Sequence, residues 1–161
     1  MNPMIGVKLW ENPCRLSFRA NFIAHHFNQP LYDWIAREYG LSMPEHVVLY
    51  ALGLREGITA DDVAASSSKP KNTLSRAIKS LLAKRLLRRT HDRQDRRRMP
   101  LYLTARGRKL VEATVPAFVE HEARMLAGLD AQERETLNFL LTKIILGQPG
   151  WPIRIPHGDP R

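Results

Sequence analysis

The chain has one cysteine, Cys14, in 161 residues. No intramolecular disulfide can form, and cysteine-rich zinc motifs are excluded. Long apolar runs are missing, so no transmembrane helix fits. The first ten residues lack a charged start and an adequate apolar stretch, so they do not read as a secretory signal. The expected compartment is the cytoplasm. There is no nucleophile elbow, no Gly-rich phosphate loop and no metal-ligand motif. Neither an enzyme nor a cofactor is therefore expected. The scarcest residue is acid between Lys69 and Lys109, where only Asp92 and Asp95 stand against fifteen Lys and Arg.

Apolar residues make up 43% and charged residues 25% of the chain, enough for one globular core without staples. The net charge of +9 is unevenly placed: +13 falls on those 41 residues and −4 on the other 120. A charge spread for solubility alone would be even, whereas a focused patch suits a phosphate backbone. A solvated basic face is the plainer alternative. A membrane-surface helix needs bulky aromatics on its face, and Lys69 to Leu86 has none.

Residues 1–14 read as an N-terminal extension. Arg15 to Glu38 has helical spacing through Leu16, Phe22, Ile23, Phe27, Leu31 and Ile35, with Pro30 predicting a kink or two half-helices. Ser42-Met-Pro-Glu45 is a capping-box start for a helix to about Arg55. Thr59 opens a short third helix, and Ser66 to Ser68 read as a turn. From Lys69 to Leu86, Leu74, Ile78, Leu81, Leu82 and Leu86 share one helix face. Leu87 to His91 and Met99 to Leu103 are short and partly alternating, the two strands of a hairpin with a charged tip. Thr104 then caps a helix from Ala105 to about Leu129, and Asp130-Ala-Gln-Glu133 opens another to about Leu146. Residues 147–161, with four prolines and three glycines, form a tail or an arm that lies on a partner.

The expected fold is mainly α with a small β-hairpin wing: a winged helix-turn-helix at about 42–104, flanked by helices at about 15–39 and 105–146. A helix the size of Lys69 to Leu86 fits a DNA major groove. Lys69, Lys71, Asn72, Thr73, Ser75, Arg76 and Lys79 supply the side chains that reach base edges and phosphates. At the hairpin tip, Arg93, Arg96, Arg97 and Arg98 can reach a minor groove or the backbone. Asp95 beside them suits a bidentate pair that aims one guanidinium.

Gly40-Leu-Ser-Met-Pro-Glu45, Ile58-Thr59, Asp62-Val-Ala64, Asn72 to Leu81, Leu86 to Arg89, Asp92-Arg-Gln-Asp-Arg-Arg97 and Leu103-Thr-Ala-Arg-Gly-Arg108 together resemble the MarR family of bacterial transcription regulators. The resemblance covers roughly residues 15–146. It implies a homodimer whose first, fifth and sixth helices interlock, and a palindromic double-stranded DNA operator with half-sites one helical turn apart. It also implies a repressor released by a small-molecule effector. The family's recognition contacts fall on Asn72, Thr73, Ser75 and Arg76, and its wing arginine on Arg96 or Arg97. The run Ser66 to Pro70 departs from the Gly-containing turn of many members.

Three further groups are candidates. Arg15 and Arg19, with His46, Tyr50 and Phe118, could line a pocket for an aromatic carboxylate; surface arginine is the plainer reading. Cys14 lies where a peroxide-sensing branch of the resembled family keeps its reactive cysteine, with Phe18 where a supporting hydroxyl would help. A buried cysteine near an interface is the alternative. His25, His26, His46 and His121 match no ligand spacing, so no metal is expected. A basic winged module that docks a protein or RNA is the remaining alternative function.

Overall fold

The computed structural model describes residues 2–67, 69–90 and 98–147. Helix α1 (Pro3–Trp10) occupies the stretch read as an extension. Asn2 caps it by accepting from the Met4 N–H at 2.9 Å, and Pro3 suits its first turn. Helix α2 (Arg15–Tyr39) runs through Pro30 unbroken and stops at Gly40, whose φ of 61° few residues other than glycine tolerate. Helix α3 (Met43–Leu54) begins with the expected Ser42–Glu45 capping box.

Helix α4 (Ala60–Ser67) includes Ser66 and Ser67, where the sequence predicts a turn. The Ser66 hydroxyl donates to the Asp62 carbonyl at 2.9 Å, so a polar side chain is accommodated inside the helix. Helix α5 (Lys71–Ala83) is shorter than the apolar pattern suggested. Arg85, at φ 56°, turns the chain, and Leu86 keeps its place in the core from outside the helix. Strands β1 (Leu87–Arg89) and β2 (Leu101–Leu103) pair antiparallel in the register Leu87↔Leu103, Arg88↔Tyr102, Arg89↔Leu101. Helix α6 (Ala105–Met125) ends a turn earlier than expected, and helix α7 (Ala131–Leu146) opens with the Asp130–Glu133 box.

The outer edge of β2 is also occupied. Gly57 donates to the Leu101 carbonyl, and Leu101 donates to the Ile58 carbonyl, both at 2.9 Å. One step on, the Glu56 carboxylate replaces backbone: it accepts from the Leu103 N–H at 3.0 Å and from Arg108 of α6 at 2.9 Å.

The described residues divide into two compact units between Glu122 and Ala123. The first holds the core. Leu74, Ile78 and Leu81 of α5 are buried among Val48, Leu49 and Leu52 of α3, Val63 of α4, and Leu87, Leu101 and Leu103 of the hairpin. Each such side chain contributes about 1.5–3 kcal/mol on burial, so the apolar half of α5 seats the helix. Gly107 lies against the Leu86 carbonyl, and a Cβ there would stand 2.1 Å from that oxygen. The second unit holds α7, whose Phe139, Leu140, Leu141, Ile144, Ile145 and Leu146 are exposed. Among the described residues no helix is long and apolar enough to cross a membrane.

Candidate nucleic-acid interface

Helix α5 separates its side chains cleanly. Leu74, Ala77, Ile78 and Leu81 are buried, whereas Lys71, Asn72, Ser75, Arg76 and Lys79 are exposed along the opposite side. Thr73 and Lys69 are half-buried at the margin. The structure thus brings together all seven expected recognition residues at one helix and its approach. Lys71 forms an ion pair with Asp61 at 2.7 Å, but both side chains are about three-quarters exposed. Such a pair is weak and salt-screened, so Lys71 remains available to a phosphate.

Of the expected wing residues, Arg93, Asp95, Arg96 and Arg97 lie outside the described residues. Arg98 is exposed at the base of the wing. It lines a cleft of about 350 Å³ with Thr59, Asp61, Asp62, Arg89 and Met99. The Thr59 N–H and then its hydroxyl hold the Asp62 carboxyl below the usual range, with Arg98 and Arg55 adding to the effect. Arg88 and Arg89, which the sequence places on the first strand of the hairpin, add exposed cations on β1. Arg88 is stacked over the Tyr102 ring at 4.5 Å. Its cross-strand pairing with Tyr102 becomes visible only once the register is known.

Behind α5 lies a carboxylate that the sequence showed only as a cap. Glu45 is 5% exposed. Its Oε2 accepts from the Ser42 N–H at 2.7 Å and the Ser42 hydroxyl at 2.9 Å. Its Oε1 accepts from the Ser80 hydroxyl and from Lys84 Nζ, each at 2.7 Å. Burial pushes the Glu45 carboxyl up, but the Lys84, Ser42 and Ser80 bonds outweigh it and hold the pKa at about 2.

His46, next in sequence, is 1% exposed. Its Nε2 lies 3.0 Å from the Thr114 hydroxyl, which itself donates to the Leu110 carbonyl at 3.0 Å. The buried Nδ1 has no partner among the described residues. The ring stacks on Phe118 at 5.0 Å and meets Tyr32 edge-on at 5.8 Å, with Tyr50 at 6.3 Å. Burial pulls the His46 pKa down to about 4. Below pH 6.5 the unfolded chain takes up a proton that folded His46 refuses, so stability should fall steadily from pH 6.5 to about 4. The loss should reach about 3 kcal/mol. Glu45 acts in a lower window: its contribution is complete above about pH 4.5 and is lost toward pH 2. Thermal melts across pH 7 to 4 check the His46 effect. His46→Phe keeps the stacked ring and should flatten the profile in that window; an unchanged slope would assign it elsewhere.

The structure packs the rings of His46, Tyr50 and Phe118 against one another, with His46 buried. It ties Arg19 to α1 instead: Arg19 donates to the Leu9 carbonyl at 2.7 Å and lies over the Trp10 ring at 5.4 Å. Arg15 is exposed at the start of α2. Cys14 is also exposed in the single chain, with its N–H bound to the Asn12 side chain at 2.8 Å. His25 and His26 sit edge to face on α2, and His26 stacks on Phe22 at 3.9 Å. His121 faces Phe27 at 5.3 Å. Among the described residues no three His, Cys, Asp or Glu are grouped to hold a metal ion.

Comparison with known proteins places this arrangement. Residues 39–98 match the family model described as MarR family. The Transcriptional regulator HosA of Escherichia coli is 29% identical over 119 residues, 74% of this chain and 88% of that protein. The solved structure of the S. aureus MepR–DNA complex is similar at 30% identity and a TM-score of 0.69, covering 82% of this chain and 97% of that one. Bordetella bronchiseptica BpsR, whose DNA binding is regulated by 6-hydroxynicotinic acid, is similar at 28% identity and a TM-score of 0.62, covering 79% and 98%. A basic helix seated by its apolar face with a hairpin beside it agrees with these matches: the chain belongs to the MarR family of winged helix-turn-helix transcription regulators, which are DNA-binding proteins.

Proposed function

We propose that the chain acts in the cytoplasm as a homodimeric repressor that presents two α5 helices to a palindromic operator. The observation that carries this reading is the exposed row Asn72, Ser75, Arg76 and Lys79 opposite a buried apolar face. Asn, Ser and Arg together suit base edges, whereas a purely electrostatic surface would need only cations. Arg93, Arg96 and Arg97 extend the contact to the minor groove, with Asp95 aiming one of them. The exposed apolar side chains of α7 supply the surface that a second copy covers.

Selection of bound sequences from random duplexes tests the reading. A two-fold symmetric consensus is expected; no consensus would favour a module that docks protein or RNA. Arg76→Ala should weaken binding to the selected duplex by about 1–3 kcal/mol and relax preference at one base position in each half-site. A uniform loss on all duplexes would assign Arg76 to phosphate.

The effector in this reading is a small aromatic acid seated against Tyr50, His46 and Phe118, and it lowers affinity by favouring a state with a different helix spacing. The regulation of BpsR by 6-hydroxynicotinic acid supports that ligand class. For Arg19 to meet the carboxylate, it must leave the Leu9 carbonyl. Titrating 6-hydroxynicotinic acid into the protein–duplex complex should release the DNA, and Arg19→Ala should blunt the release. Binding unchanged at millimolar acid would remove this ligand class.

A further inference from the structure

We infer that Glu45 is a positioning residue for sequence readout, setting the roll of α5 through Ser80 and Lys84. The two carboxylate oxygens have separate tasks. Oε2 takes both bonds from Ser42 and so completes the cap of α3. A cap needs nothing more, yet Oε1 takes the Ser80 hydroxyl and the Lys84 ammonium, both from the far end of α5. Lys84 also donates to the carbonyl of Gly40 at 3.0 Å, so the end of α2, the start of α3 and the end of α5 meet at one ion pair.

The apolar face of α5 holds the helix down, but hydrophobic burial has no direction and does not by itself fix rotation about the axis. Two directional, charge-assisted bonds one helical turn apart do. The exposed readers Ser75, Arg76 and Lys79 immediately precede Ser80 on the same helix. A roll of about 20° moves a tip about 6 Å from the axis by about 2 Å. That displacement ends a hydrogen bond to a base, while flexible lysines and arginines still find phosphates. The clamp therefore acts on discrimination and leaves general affinity alone.

This inference rests on the operator reading above, and its test separates the two. The probes are a duplex selected from random sequence by the wild-type protein and the same duplex shuffled. The variants are Lys84→Met alone and Ser80→Ala with Lys84→Met, both of which leave the Ser42 cap intact. Glu45→Gln, which keeps a capping-box side chain, gives a second route. Melting temperatures show that each variant is folded. The preference for the selected over the shuffled duplex should fall about ten-fold, the discrimination of one base contact. Affinity for the shuffled duplex and its salt dependence should match wild type, and Lys84→Arg should restore the preference. A folded variant with wild-type preference overturns the inference. Equal losses on both duplexes with a shallower salt slope also overturn it, because the pair would then serve phosphate. If the wild-type protein itself does not distinguish the duplexes, the operator reading fails and takes this one with it.

Discussion

Gly107→Ala should destabilise the protein by about 3 kcal/mol or more, against the sign expected from helix propensity. Alanine is the better helix former by about 1 kcal/mol, so an ordinary site in the first turns of α6 would gain from the change. Here the added methyl would stand 2.1 Å from the carbonyl oxygen of Leu86 and 3.1 Å from its carbon. Both atoms are backbone and cannot swing aside. The same carbonyl accepts from the Thr104 N–H at 3.1 Å, and the Thr104 hydroxyl accepts from the Gly107 N–H at 3.1 Å. Relieving the clash therefore breaks the start of α6 away from the entrance to β1. Denaturant melts of the two proteins decide the matter. A Gly107→Ala protein at or above wild-type stability would show that α6 and the hairpin do not meet this closely.

On the homodimer proposed above, the double substitution Leu140→Asp with Ile144→Asp should make the protein monomeric and cost about a hundred-fold or more in affinity for a selected two-half-site duplex. Both side chains are nearly half exposed, at 49% and 45%, and lie one turn apart on α7 among other exposed apolar residues. Charge there costs an exposed helix little but opposes burial under a second copy. Two linked half-site contacts become two independent ones, and the avidity between them is lost. The first unit should keep its fold, since its buried core runs only from Leu31 to Val111. Sedimentation and duplex titration read the two effects separately. A double variant that still sediments as a dimer would assign the subunit contact to other residues.

The order of helices and the two strands could be read from the sequence because their signals are local. The Ser42–Glu45 and Asp130–Glu133 boxes and the apolar face of α5 stand within single elements, and all three recur in the structure. What could not be read is what depends on distance along the chain. Glu45 meets a lysine 39 residues away, and His46 a threonine 68 residues away. Neither partner carries a mark in its own neighbourhood. Periodicity also overran the ends of helices: Leu86 fits the helical pattern but belongs to the core from beyond the turn at Arg85. Ser66 and Ser67 err the other way: serine suits turns, yet both lie in α4, where the Ser66 hydroxyl finds a carbonyl. Of the recognition residues, the exposed face followed from the spacing of Leu74, Ile78 and Leu81. The break of Arg19 from the His46 rings depended on α1, which the sequence reading left without structure.

The outward N–H groups of Leu101 and Leu103 are both engaged, one by the Ile58 carbonyl and one by the Glu56 carboxylate. An extended peptide drifting alongside β2 finds no donor to begin a ladder. Molecules crowded side by side are thus kept from zipping together through that edge.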